Sequence, residues 1–224
     1  MVTRAVEDYL KTIYTLQQGG SRATTNAIAG RMGLRAASVT SMLQQLSEQG
    51  MADYTPYQGA ALTDKGISAA LRVIRRHRLI ELYLHQSLAV PWDRVHEEAE
   101  RLEHVVSPYL EEMIDAALGH PQFDPHGDPI PTTAGVLPVR DLVPLSDLPL
   151  DTPSIVRRVP DSNPDLLRYV DSLGLVPDAT VRVTRRSPFN DHFFLEISPQ
   201  GNNTASHHVV GAEIARNVFV SRPE

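Results

Sequence analysis

The sequence predicts a mainly α protein with a β-containing C-terminal domain: an N-terminal winged helix-turn-helix, a helical middle domain, and a small SH3-like β-barrel at the C-terminus. Three observations predict it. Apolar residues at helical spacing dominate the first half, interrupted by one hairpin-like stretch. Ten of the seventeen prolines fall between residues 119 and 164. After them the pattern changes to strand-like alternation between turn signals.

In "RAVEDYLKTIYTLQ", residues 4 to 17, Val6, Tyr9, Leu10, Ile13 and Leu16 share a helical face, and Asp8 lies almost opposite Leu10. "SRATTNAIAGRMGL" offers Ser or Thr caps before a short helix that ends at Gly33. "RAASVTSMLQQLSEQG" follows, with Val39, Met42, Leu43 and Leu46 inward and Gly50 at its end. Two short helices joined by a tight Gly-containing turn form a helix-turn-helix. "MADYTPYQGAALTDKG" then has the form of a hairpin with its tip at Tyr57-Gln58-Gly59, and Thr63 caps the next helix. That order is the order of a winged-helix DNA-binding domain, expected over residues 1–72.

The stretch "TDKGISAALRVIRRHRLIELYLHQSL" predicts a long helix, and "PWDRVHEEAERLEHVVSPYLEEMIDAAL" a second one broken near Pro108. Their apolar positions exceed what two helices bury alone, so residues 73–140 are expected to form a helical dimerisation domain with a Pro-rich linker. The Pro-rich segment from 119 to 164 is expected to lead, as linker, into a third domain at 145–224. Its strands are "ATVRVTRRS", "HFFLEISP" and "NVFVSRPE".

With 224 residues and 42% apolar composition the chain is long enough for one to three domains. It has no cysteine, which excludes disulfides and thiolate chemistry and makes a reducing cytoplasm the expected compartment. No run approaches the ~18 apolar residues of a membrane span. The net charge of −6 is unevenly spread. Residues 1–78 carry ten Lys or Arg against five Asp or Glu, and the remainder eleven against twenty-two, so the basic part is the one suited to a polyanion.

"VHEEAERLEHV", residues 95 to 105, concentrates the chemistry. Read as continuous helix it puts His96, Glu100, Glu103 and His104 on one side. Glu100, Glu103 and His104 with Asp8 supply three carboxylates and an imidazole, a hard donor set suited to Mn²⁺ or Fe²⁺. A solvated acidic face on a metal-independent DNA-binding protein is the alternative. A hydrolase built on the same residues lacks a nucleophile and an oxyanion donor, so no enzyme is expected.

"EDYLKTIY", "VTSMLQQLSEQGM", "RRHRLIELYL", "VHEEAERLEHVVS" and "HGDPIP" occur in the order and spacing of the metal-dependent repressors related to the diphtheria toxin repressor. The chain resembles the three-domain, manganese-responsive branch of that family, whose third domain is SH3-like and FeoA-type. The resemblance implies Asp8, Glu100, Glu103 and His104 as the primary metal ligands. Asp8 and Glu100 stand where the iron-sensing branch has Met and Cys, a hardening that favours manganese. It implies a second site among His77, Glu81, His96, Asp124, His126 and Asp161, hence two ions per subunit. The short manganese regulators of the family carry a Glu where this chain has Lys11, which disfavours their binuclear centre here.

The resemblance further implies a homodimer that represses metal-uptake genes by binding double-stranded operator DNA when loaded with Mn²⁺; an iron-dependent regulator of the same family is the alternative. Arg35, Ala37, Ser38, Thr40 and Ser41 are expected to face the groove, with Thr25, Asn26, Tyr57 and Gln58 near backbone phosphates.

Overall fold

The computed structural model describes residues 3–161, 163–200 and 204–222, which fold as two compact units. The first comprises residues 1–77, 103–106 and 131–136, and the second residues 78–102, 107–130 and 137–224.

In the first unit, helix α1 (Arg4–Leu16) starts at Thr3, whose hydroxyl accepts from the Val6 amide. It buries Val6, Tyr9, Leu10 and Ile13, as its apolar spacing predicts. Helix α2 (Thr25–Met32) is capped by Thr24 and closed by Gly33 at φ +66°; helix α3 (Ala36–Glu48) buries Val39, Leu43 and Leu46. These side chains, with Ile28, form one core, so α1 and α3 are packed against shared neighbours. The wing pairs β1 (Ala52–Thr55) with β2 (Gly59–Leu62). Thr55 faces Gly59 across the ladder, so the tip is residues 56–58 and Gly59 belongs to the strand. A Cβ on Gly59 would lie 2.3 Å from the Ala23 carbonyl oxygen, where Ala23 bridges to Ala60.

Helix α4 (Asp64–Leu88) begins at Thr63, whose hydroxyl accepts from the Gly66 amide, and supplies residues to both units. The expected second helix of the middle segment is two helices: α5 (Val95–Leu102) and α6 (Pro108–Ala117). Pro108 disfavours helical geometry at Ser107, which is extended at φ −72°, ψ 156° and caps α6 instead. Glu103 and His104 therefore lie in the turn after α5, not on its face, which corrects the expected single helical surface. In the second unit Leu79 and Leu82 of α4 pack with Ile114 of α6 and Ile130.

The Pro-rich segment is not linker throughout. It contains β3 (Leu142–Pro144) and β4 (Pro153–Arg158), members of a six-stranded antiparallel sheet ordered β3-β8-β4-β5-β6-β7. The others are β5 (Thr180–Arg186), β6 (His192–Ser198), β7 (Ser206–Gly211) and β8 (Phe219–Ser221). Helices α7 (Pro164–Ser172) and α8 (Ala212–Asn217) cover its core through Leu167, Val170 and Ala215. Among the described residues no helix is long and apolar enough to cross a membrane.

Gly66 offers a test of the packing at the start of α4. In an open helix Gly→Ala stabilises by about 1 kcal/mol. Here the added Cβ would meet the Met51 carbonyl oxygen at 2.0 Å. Gly66→Ala is therefore expected to destabilise the chain by about 1–3 kcal/mol in urea denaturation; stabilisation would mean that the Met51 turn gives way freely.

Candidate metal centre

The first unit brings three expected ligands together. Donor atoms of Asp8, Glu103 and His104 lie within 4.8 Å of one another. The apolar face of α1 fixes Asp8 on its flank, with Glu7 beside it and Lys11 one turn on. The turn after α5 supplies the other two, and Glu103 is wholly buried.

His104 is held by a carboxylate that the sequence reading had not singled out. Its Nδ1 is 2.6 Å from Glu7 Oε2. With the proton on Nδ1, the Nε2 lone pair faces Asp8 Oδ1 at 2.8 Å and Glu103 Oε1 at 3.3 Å. Nε2 is buried and makes no directed hydrogen bond despite the short distance to Asp8. A lone pair aimed at two carboxylates is repulsive in the neutral tautomer, and a cation there removes the repulsion. A carboxylate behind a metal-binding imidazole is also the usual way of fixing its tautomer. The residues thus fit a divalent ion with oxygen and imidazole ligands.

Glu103 has further partners. Lys11 Nζ donates to Oε2 at 2.9 Å and to Oε1 at 3.2 Å, and His77 Nδ1 approaches Oε2 at 2.5 Å. Arg76 donates to the Glu103 backbone carbonyl at 2.6 Å. Burial pushes the Glu103 carboxyl up, but the His77 hydrogen bond and the charges of Lys11 and His77 outweigh it and hold it below the usual range. His77, expected beside Glu81 in an ancillary site, is engaged with Glu103 in this unit.

In the second unit Glu81, Asp124 and His126 are all buried, with donor atoms within 4.8 Å of one another, and a second group of the same spacing joins Glu81 to His96 and Asp161. His96 Nδ1 lies 3.0 Å from Glu81 Oε1 and 3.6 Å from Asp161 Oδ2. Glu100, one turn on from His96, is 3.8 Å from its Nε2. Glu97 and Glu98 pair with Arg101 on the exposed side of α5.

The "DPHGD" loop divides the work of Asp124 between its two oxygens. Oδ1 accepts from the amides of His126 and Asp128, both at 2.9 Å, which makes the turn. Oδ2 is buried without a hydrogen bond, with Arg78 Nε at 3.6 Å. His126 repeats the logic of His104: Nε2 donates to the Trp92 carbonyl at 3.0 Å, leaving Nδ1 buried with no hydrogen-bond partner. Gly127 permits the turn at φ +90°, where a Cβ would strike the Arg157 carbonyl oxygen at 1.8 Å. Burial, then the charges of Glu81 and Asp128, push the Asp124 carboxyl well above the usual range, against Arg78.

Around helix α3 of the first unit, Arg35, Ala37, Ser38 and Ser41 are exposed and Thr40 half-buried. Thr40 and Ser41 donate to the carbonyls of Ala36 and Ala37, so both hydroxyls are tied to their own helix. Thr25, Asn26, Thr40 and Tyr57 line one groove, and Tyr57 and Gln58 are exposed at the wing tip.

Residues 1–60 match the iron dependent repressor N-terminal DNA binding domain, residues 63–132 the iron dependent repressor metal binding and dimerisation domain, and residues 143–222 the FeoA domain. The chain is 33% identical over 189 residues to the iron-dependent repressor IdeR of Mycobacterium tuberculosis, covering 79% of this chain and 82% of that protein. It is 35% identical over 107 residues to the HTH-type transcriptional regulator MntR of Oceanobacillus iheyensis, covering 48% and 72%. Among solved structures, a manganese-dependent transcriptional repressor in complex with manganese matches with TM-score 0.87 at 37% identity, over 96% of this chain and 99% of that one. The manganese-activated repressor ScaR in its apo form matches with TM-score 0.79 at 31% identity, over 96% and 100%.

The raised Asp124 carboxyl has a sign in stability. A carboxyl that keeps its proton longer when folded costs stability as pH rises from the ordinary carboxylate range through its raised value. Asp124→Asn is expected to make the chelator-treated protein more stable at pH 7 and to flatten that decline, measured by urea denaturation between pH 5 and 8. A variant less stable than wild type at pH 7 would show that the Asp124 charge is fully compensated.

Proposed function

Because the chain belongs to the diphtheria toxin repressor family of metal-dependent DNA-binding transcriptional repressors, which are not enzymes, we propose that it is a manganese-dependent homodimeric repressor of metal-uptake genes. The observation that carries this reading is His104, whose Nδ1 is held by Glu7 and whose buried Nε2, without a hydrogen bond, lies 2.8 Å from Asp8 Oδ1 and 3.3 Å from Glu103 Oε1.

Asp8, Glu103 and His104 hold the ion, with Glu100 as fourth ligand on the family resemblance. Glu81, Asp124 and His126, with His96 and Asp161, form a second site, giving two ions per subunit; His77 serves the first site through Glu103. The absence of sulfur among these donors favours Mn²⁺ over softer ions, whereas the likeness to IdeR leaves Fe²⁺ as the alternative metal. When bound, the ion supplies two positive charges that cancel the repulsion among the carboxylates.

The chain's own residues convert that into DNA binding. Asp8 and Glu103 join α1 to the turn after α5, and α1 shares its core with α3. Ordering α1 therefore orders the recognition helix. Exposed Tyr109, Leu110 and Met113 on α6 supply an apolar surface for a second subunit. Two recognition helices then meet half-sites about 34–36 Å apart, or a multiple of that. The division into domains at 1–72, 73–140 and 145–224 follows the same reading.

Mobility shift of the chain's own upstream DNA tests it. Retardation is expected with Mn²⁺ and not after chelation, and Glu103→Ala should weaken Mn²⁺ binding about 100-fold by calorimetry. Retardation equal in every lane would leave a constitutive DNA binder, and retardation at micromolar Fe²⁺ but not Mn²⁺ would establish the iron reading. Arg35→Ala should weaken binding to all sequences alike and reduce the salt slope by about one; loss of preference for one base with an unchanged slope would instead make Arg35 a base reader.

A further inference from the structure

Lys11 is engaged with the ligand set itself. Its ammonium donates to both oxygens of the buried Glu103 carboxylate, at 2.9 and 3.2 Å, and lies 3.1 Å from His77 Nδ1. It stands on α1 one turn from Glu7 and Asp8, so it is tethered beside the site rather than drawn from solution. Its side chain is only 18% exposed.

We propose that Lys11 is a resident cation of the primary site: it neutralises Glu103 in the metal-free protein and must leave before Glu103 can serve as a ligand, so it sets the metal concentration at which the repressor responds. The inference rests on the reading of Asp8, Glu103 and His104 as metal ligands.

Charge and geometry both demand the exchange. An ammonium that donates to both carboxylate oxygens takes up one lone pair on each, and a divalent ion on the same carboxylate would face that ammonium at close range. The two oxygens of Glu103 are not equivalent. Oε2 is also held by His77, whereas Oε1 is the one facing His104 Nε2 at 3.3 Å. When Lys11 swings out, His77 keeps Oε2 in place and Oε1 is released toward His104 and Asp8. Both Lys11 hydrogen bonds then break, and the one to Oε1 is the one that masks the ligand atom. Because the ammonium competes with any divalent ion, Lys11 lowers affinity across metals and acts on threshold rather than on selectivity.

The test uses the full-length chain, stripped of metal, with Mn²⁺ titrated in and the free ion followed by its aqueous paramagnetic resonance signal. Lys11→Met is expected to tighten Mn²⁺ binding by about tenfold or more, and to lower the metal-free melting temperature by several degrees because Glu103 loses its counter-ion. Lys11→Arg should restore the metal-free stability and the weaker affinity. Lys11→Gln, which retains a donor for Glu103, provides the uncharged case if Lys11→Met does not fold. Arg4→Met removes a mostly exposed charge whose Nε lies 4.0 Å from Asp8 Oδ2. It should change affinity by less than about threefold. Equal tightening by Arg4→Met and Lys11→Met would overturn the proposal in favour of general charge reduction, and unchanged or weaker binding by Lys11→Met in a wild type that binds Mn²⁺ would overturn it outright. If neither wild type nor Lys11→Met binds Mn²⁺, the metal reading of the site fails and takes this inference with it.

Discussion

A carboxylate removed from water costs several kcal/mol unless charges and hydrogen bonds replace its solvation. Glu103 is wholly buried, and its surroundings are arranged around that cost. Lys11 and His77 address its oxygens, Arg76 its backbone carbonyl, and His104 follows it directly in the turn. Removing Lys11 or His77 leaves a buried charge short of compensation. The same condition makes Glu103 suited to regulation, because a group that must always have a cation can have its cation exchanged.

Both candidate sites solve the histidine problem in one way. An imidazole offers a lone pair in a chosen direction only if its other nitrogen holds the proton. At His104 the proton is held by Glu7, and at His126 by the Trp92 carbonyl. Asp124 divides similarly, one oxygen fixing the loop and the other left without a hydrogen bond. In each case a structural contact on one atom points the neighbouring atom of the same side chain into the site.

Apolar spacing made the first unit legible: α1, α2, α3 and α4 all have the buried faces or caps that their sequences imply. Period failed at two kinds of place. The helical wheel joined Glu100 to Glu103 and His104 because it assumes continuous helix, yet α5 ends at Leu102. Ser107 before Pro108 was the signal that the helix had to stop. Proline density suggested linker where β3 and β4 exist, but a strand can open with Pro153 or end with Pro144 where its ladder does not require that amide. Glu7 escaped notice because adjacent residues on a helix point about 100° apart, and only the position of His104 in a turn lets Glu7 and Asp8 reach its two nitrogens.

The placement of Asp8 and Lys11 on α1 gives the proposed metal site a route to the recognition helix. Helix α1 contributes Val6, Leu10 and Ile13 to the core that also holds Val39, Leu43 and Leu46 of α3. Close-packed interiors do not deform continuously, so these helices move together. Whatever fixes α1 thereby fixes Ala37, Ser38 and Ser41 on the exposed side of α3, without touching DNA. On the proposed reading that this surface meets DNA, Ala37, Ser38 and Ser41 are small and the Ser41 and Thr40 hydroxyls donate to their own helix, so these residues offer little direct base reading. Correct positioning of the whole recognition surface then carries a larger share of the discrimination, which is the condition under which control through α1 is most effective.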